Sequence, residues 1–289
     1  ATMSTANGGF DLADGSDLVI ASGSGNISIA SIQGTSDEDV SISAGTGSIG
    51  VGAIGDGTGI DNVSLTAAVI TLTGDIQTSN GDNLGAVTLT GGITVGDDVS
   101  VNSSAGGGTV GFTGAVSADA AGRHLQVNAG SGNVTFASTV QGATALDQLT
   151  VNAANNVDFD AAVTITGALT QTTGTGTTTF DAAVSAGGVS VRNTTGVSFA
   201  STLTATGGNN IELGSDSIDF AANVIGTGSV AMTDFDGDAD IGVDGGLGTL
   251  EISNSELGFL QEGFSEIIFG GPTFGGAGIA TINIGPGGY

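Results

Sequence analysis

Six phenylalanines recur along the middle of the chain at nearly equal intervals, and their spacing constrains the fold more than any other feature. They are Phe112, Phe136, Phe159, Phe180, Phe199 and Phe220, which lie 24, 23, 21, 19 and 21 residues apart. An aliphatic residue stands two positions before each phenylalanine, with Thr178 as the exception, and a small residue stands two positions after. Valine or leucine stands four positions after. Because all these positions share one parity, they predict a strand with one buried face.

A second strand pattern lies between these phenylalanines, for example Leu125-Gln-Val127 and Leu149-Thr-Val151. One interval therefore holds two or three short strands, which cannot bury an apolar face alone. Stacked copies form a continuous core and satisfy one another's backbone groups. We therefore predict an all-β fold, a parallel β-helix (β-solenoid) of about thirteen coils of 19–24 residues, on the order of 60 Å long. A turn-rich β-sandwich is the alternative.

The regularity of the pattern changes along the chain and suggests three regions of one continuous solenoid. Residues 1–69 are predicted to form irregular amino-terminal coils, and residues 70–233 to form regular repeats. Residues 234–289 begin with an acidic turn and continue as glycine-rich terminal coils, a cap or an assembly segment.

Several phrases of this sequence carry a resemblance to a known family. They are "ITLTGDIQTSNG", "LQVNAGSGNVTFASTV", "LDQLTVNAANNVDFDAAV" and the tail "GFLQEGFSEIIFGGPTFGGAGIATINIG". The chain resembles the repeat regions of giant secreted bacterial adhesins, namely filamentous-haemagglutinin-like and related large β-strand-repeat surface proteins. That resemblance implies right-handed parallel β-helices that form stalks, fibres or adhesive shafts outside the cell or on the bacterial surface.

The charge of the chain excludes some partners. There are 29 acidic residues against two arginines, Arg123 and Arg192, with no lysine and a single histidine. Such a chain cannot neutralise phosphates, so neither nucleic acid nor an anionic lipid surface is an expected partner. No run of eighteen apolar residues is present, so membrane insertion is not expected. Cysteine is absent, which removes disulfides and thiolate ligands.

The densest group of carboxylates is a candidate cation site. The stretch "DFDGDADIGVDGG" contains Asp234, Asp236, Asp238, Asp240 and Asp244. Alternating aspartates with glycines are suited to Ca²⁺, which needs several oxygen ligands that converge without steric crowding. The pattern departs from the helix–loop–helix calcium loop, so any site would be a looser one at a solenoid turn. The alternative is a solvated acidic loop.

Catalytic residues are not predicted. His124 is the only histidine, but serine and aspartate are so frequent that a possible triad carries no information. Parallel β-helix enzymes that act on polysaccharides usually present basic and aromatic side chains on one face. This chain has no tryptophan and one tyrosine, and Arg192 is a single basic residue in a suitable place. A polysaccharide-active enzyme is therefore a remote alternative.

The tail suggests self-association. It has no charged residue after position 270, so nothing opposes strand pairing there. We expect it to contact the amino-terminal strands, residues 10–29, of a second molecule, giving a head-to-tail homo-oligomer. The candidate assembly residues are Phe269, Phe274, Ile282, Ile284 and Tyr289.

The resulting interpretation is a non-enzymatic building block of a bacterial surface fibre, matrix or adhesin shaft. The alternative is a rigid monomeric stalk that binds host or surface glycans.

Overall fold

The chain winds into a parallel β-solenoid, as predicted from the spacing of the phenylalanines. The computed structural model describes residues 3–4, 9–55, 59–78, 85–234, 240–270 and 282–284, the first and last of these by their backbone only. The stack has about ten turns rather than about thirteen. The estimate from chain length was too high because the carboxyl-terminal region is not made of regular coils. One turn there takes 36 residues, from Val224 to Leu260.

Each coil contributes strands to three faces, which the chain visits in the order face 1, face 2, face 3. Face 1 contains the strands Leu18–Ala21, Glu38–Ser43, Val110–Phe112, Val134–Phe136, Val157–Phe159, Thr177–Phe180, Gly196–Phe199 and Ile218–Phe220. Face 2 contains Met3–Ser4, Val116–Ala118, Val163–Thr164, Val184–Ala186, Leu203–Ala205 and Val224–Ile225. Face 3 contains Phe10–Asp11, Ile76–Gln77, Val99–Asn102, His124–Asn128, Gln148–Ala154, Ala168–Gly174, Gly188–Thr194, Ile211–Ser215, Ser229–Thr233 and Glu266–Phe269. Four longer strands run from one face to the next, namely Ile27–Gln33 and Ser48–Ile54 across faces 2 and 3, and Ile60–Leu72 and Val87–Val95 across faces 1 and 2.

In the coils marked by phenylalanine, the corner between faces 1 and 2 has a fixed length, whereas the corner between faces 2 and 3 does not. In the six coils marked by phenylalanine, the paired residue of face 2 always follows four positions later. The bends fall on the predicted small residues Gly114, Ser138, Ala161, Ala182, Ser201 and Ala222. At the next corner, Val189 follows Val184 by five positions, but Leu149 follows Val140 by nine.

The phenylalanines form one buried column in the positions that their spacing predicts, and we call it the phenylalanine column. All six are at most 3 % exposed. The first four ring pairs stack with centroids 4.7–4.8 Å apart and planes within 5°. The last pair, Phe199 and Phe220, is looser at 5.7 Å and 22°. Towards the amino terminus the column continues as Ile20, Ile42, Leu65 and Leu89.

Thr178, the exception in the sequence pattern, has its explanation on the opposite side of the core. Gln171 occupies a buried position of face 3 that Val151 and Val191 hold in the adjacent coils. The hydroxyl of Thr178 donates a hydrogen bond of 2.6 Å to Gln171 Oε1. Gln171 Nε2 is buried without a hydrogen-bond partner among the described residues. A β-carbon at Gly174 would lie 2.7 Å from that nitrogen, so a side chain there would displace the glutamine.

A row of small hydroxyl side chains satisfies backbone groups at the corner between faces 3 and 1. Thr78, Ser103, Thr194 and Ser215 are at most 2 % exposed there. They donate hydrogen bonds of 2.6–2.9 Å to the carbonyl oxygens of Gly85, Gly108, Gly176 and Ser217 respectively. The core therefore stays apolar on its faces while the turn carbonyls keep hydrogen-bond partners.

The carboxyl-terminal end departs from the repeat. A short helix, Asn254–Phe259, begins at Ser253 with a capping box in which the side chains of Ser253 and Glu256 each bind the other's backbone N–H. Ile241–Val243 pairs in parallel with both Leu250–Ile252 and Ile282–Ile284. The helix and Leu250–Ile252 both contact the last strand of face 1, so they cover that end of the phenylalanine column.

Candidate functional sites

Both arginines are held in ion pairs with acidic residues, most of which lie on neighbouring coils. Arg123 lies 2.7 Å from Asp119 and 3.2 Å from Asp97, which belongs to the preceding coil. The hydrogen bond from Arg123 lowers the pKa of Asp119, and the same bond raises the pKa of Arg123. Arg192 pairs with Glu212 of the following coil.

His124 lies between carboxylates of two adjacent coils. Its Nε2 is 3.3 Å from Asp147, and its Nδ1 is 3.9 Å from Asp98. Asp98 also accepts a hydrogen bond from the backbone N–H of His124 at 3.0 Å. This arrangement links three coils through one imidazole. The sequence did not identify these aspartates, although their separation from His124 by about one coil was the available signal.

These charged clusters connect adjacent coils of the same chain. No group of three or more histidine, aspartate or glutamate side chains in the described ranges is arranged to hold a metal ion. Arg192, the residue most suggestive of a polysaccharide-active enzyme, forms an ion pair with Glu212. The Glu212 carboxylate also lies 3.4 Å from the Ser190 hydroxyl.

The structure describes only part of the acidic cluster proposed for calcium. Asp234 is buried and accepts a hydrogen bond from the Thr233 hydroxyl at 3.3 Å. Asp240 precedes the strand Ile241–Val243, and Asp244 follows it with a positive φ of 51°. Asp236 and Asp238 lie outside the described residues, so the calcium site stays a prediction.

A buried carboxylate that sequence reasoning missed lies near the amino terminus. Glu38 is fully buried and accepts hydrogen bonds from the backbone N–H groups of Thr35 and Ser36, both at 2.9 Å, and from the Thr35 hydroxyl at 3.0 Å. Burial raises the pKa of Glu38, but these donors outweigh it and lower the pKa below its ordinary value. The carboxylate therefore holds a turn of the coil in place.

The two ends of the rod carry the partly buried apolar side chains that pack against the core. At the amino-terminal end these are Phe10, Leu12, Leu18 and Ile20, and at the carboxyl-terminal end they are Leu257, Phe259, Leu260, Phe264 and Phe269. Of the predicted assembly residues, Phe269 lies in this second set. Ile282 and Ile284 lie in the strand that pairs with Ile241–Val243 of the same chain. Phe274 and Tyr289 lie outside the described residues.

A shallow groove of about 300 Å³ opens on face 3. It is lined by the tight turns at Gly167 and Gly187 and by Ser190, Asn210 and Glu212. The groove arises because two short corners stand beside a longer one, which leaves a step in the side of the rod.

Comparison with protein-family models, with curated proteins and with solved structures finds no match for this chain. Within the described residues, no helix has the length and apolar character needed to cross a membrane.

Proposed function

We propose that this chain is a non-enzymatic structural β-solenoid of a bacterial surface fibre, matrix or adhesin shaft that associates end to end outside the cell. The observation that carries the proposal is the placement of partly buried apolar side chains at the two ends of the rod. The core between them is continuous and closed. Apolar surface left at both ends favours contacts along the rod axis.

The acidic sides of the rod favour end-to-end assembly because they disfavour side-by-side packing. The net charge is −27, and only three side chains in the chain are basic. Two rods lying side by side would bring acidic surfaces together, so lateral packing is disfavoured unless cations screen the repulsion. Axial contacts then dominate, and a head-to-tail contact between unlike ends can propagate into a filament.

A rigid stalk that binds glycans is the second candidate, and the groove on face 3 favours it. The groove offers hydroxyl, amide and carboxylate groups of Ser190, Asn210 and Glu212, which are suited to hydrogen bonds with sugar hydroxyls. Arrays of immobilised glycans would test this function with the wild-type chain and with Asn210→Ala, which alters the groove.

Electron microscopy and sedimentation velocity of the purified full chain test the main proposal. We expect single-width filaments whose axial repeat is ~58 Å, because twelve strands are stacked on face 3 and each adds one strand spacing. The mean sedimentation coefficient should increase with protein concentration. A chain that remains monomeric at high concentration, with and without calcium, would reject the fibre function and favour the stalk.

A further inference from the structure

We infer that end-to-end contact is made on face 3, where Glu266–Phe269 of one copy pairs in parallel with Phe10–Asp11 of the next, with Phe269 opposite Phe10. This inference rests on the proposed function and specifies its contact. The occupant of each end is thus a second copy of this chain.

The inward residues of face 3 form one column that runs from end to end of the rod. It begins with Phe10, ends with Phe269, and contains between them Ile32, Ile54, Ile76, Val101, Val127, Val151, Gln171, Val191, Leu213 and Met232. Every residue between the two phenylalanines is at most 3 % exposed. The two terminal rings are only partly buried, because each has a neighbouring coil on one side alone. Joining the ends would continue the column without a break.

The phenylalanine column shows how two such rings pack at this spacing. Within it, phenylalanines at equivalent positions of adjacent coils stack with centroids 4.7–4.8 Å apart over four consecutive pairs. A coil of the next copy that continues the same β-ladder would place Phe10 at this distance from Phe269. Stacked aromatic pairs of this kind stabilise a contact by more than the burial of their apolar area alone.

The hydrogen-bonding edges of the two terminal strands also favour this contact. Among the described strands, Glu266–Phe269 pairs only with Ser229–Thr233, and Phe10–Asp11 pairs only with Ile27–Gln33. Each strand therefore has one outer edge that no described strand covers. The two edges face opposite directions along the rod, so a head-to-tail contact makes the pairing parallel, as in every coil of the stack.

The charges on the two terminal strands favour one register of the contact. With Phe269 opposite Phe10, Gly270 stands opposite Asp11. Across residues 268–270 no carboxylate then faces a carboxylate, although both ends are acidic. A shift of one residue would turn the inward ring of Phe269 against the outward Asp11, so the register is specified.

Engineered cysteines give a direct test because the chain contains none. Phe10→Cys and Phe269→Cys are made as separate single variants, and each is checked for folding by circular dichroism. Each variant alone, and an equal mixture of the two, is then treated with a mild oxidant and analysed on non-reducing gels. We expect disulfide-linked dimers in the mixture and at least tenfold less in either variant alone, since adjacent strands bring the α-carbons within disulfide range.

The matched control is Val19→Cys mixed with Phe269→Cys. Val19 is 74 % exposed and lies at the same end of the rod, but on face 1. This mixture should give no more dimer than either variant alone. Equal crosslinking in both mixtures would mean that the ends collide without a defined register, and this result would overturn the inference.

The remaining outcomes separate this inference from the proposed function. Filaments of the wild-type chain, without a disulfide between positions 10 and 269 in the mixed variants, would reject the face 3 contact and leave the fibre function standing. Dimers of a single variant with itself would indicate a symmetric contact and reject head-to-tail pairing. A second pair of variants, Phe10→Asp and Val19→Asp, gives an independent measurement. The first should raise the concentration needed for elongation at least tenfold, and the second should leave it unchanged.

Discussion

Replacing Phe159 with alanine should lower the free energy of unfolding of the middle of the rod by more than most other single substitutions. The ring is 3 % exposed and stacks between Phe136 at 4.8 Å and Phe180 at 4.7 Å. Its removal leaves a cavity with a coil on either side. Because neighbouring coils are held in register by their backbone ladders, the cavity can collapse only in part. The expected loss is ~3–5 kcal/mol in the free energy of unfolding.

Two further variants separate the effect of the lost side-chain volume from the effect of the lost ring stacking. Leu89 occupies the same column, so the position accepts leucine, and Phe159→Leu should lose only ~1–2 kcal/mol. Phe112 has one phenylalanine neighbour because Leu89 lies on its other side. Phe112→Ala should therefore cost less than Phe159→Ala by about one ring pair, ~0.5–1.5 kcal/mol.

Urea denaturation followed by far-ultraviolet circular dichroism is the suitable assay, because the chain has no tryptophan. Stacked coils can unfold in parts, so hydrogen exchange on the strands Val134–Phe136 and Thr177–Phe180 should accompany it. The reasoning is refuted if the alanine variant at Phe159 stays within ~1 kcal/mol of the wild type, or if leucine costs as much as alanine.

Further predictions concern the polar and charged groups. Thr178→Val should cost ~1–3 kcal/mol because both polar ends of Gln171 are then buried without partners, whereas Thr178→Val with Gln171→Val should be at least as stable as the wild type in urea. The lowered pKa of Glu38 means that its carboxylate stabilises the fold above the unfolded-state pKa, and that this contribution is lost as pH falls through the folded-state pKa. Glu38→Gln should therefore flatten the acid limb of stability, and identical pH profiles would contradict this. Arg123→Gln should cause a small destabilisation that disappears as sodium chloride is raised, which thermal unfolding at several salt concentrations would measure. Sodium chloride should also promote elongation in sedimentation, because both rod ends are acidic.

The regular part of the fold could be predicted because its determinants repeat. A shared parity and a corner of constant length place Phe136, Phe159 and Phe180 in one column without any knowledge of the turns. The number of coils was overestimated because a mean spacing was applied to the carboxyl-terminal region. There the sheet with Ile241–Val243 and the capped helix replace the repeat, and neither has a periodic signal.

The pairs across the core and across the corners could not be derived from one strand at a time. Thr178 is an isolated irregularity in the sequence, and its partner Gln171 lies on another face of the same coil. The carboxylates around His124 lie about one coil away from it, but acidic residues are so frequent in the chain that this separation does not single them out. That Phe10 and Phe269 belong to one column becomes evident only from the pairings between strands.

The corners of unequal length have a consequence for how such a rod can change. A step of five or of nine positions from face 2 to face 3 leaves the length of the rod unchanged, because the rise of each coil is set by the ladder between neighbouring strands. The length of the rod therefore depends on the number of coils and not on the number of residues in each coil. An insertion at this corner would change the surface of one coil without changing the length of the rod. Duplication of a whole coil would lengthen the rod by one strand spacing, ~4.8 Å, and leave both ends unchanged. Length and surface chemistry can therefore evolve independently in this architecture.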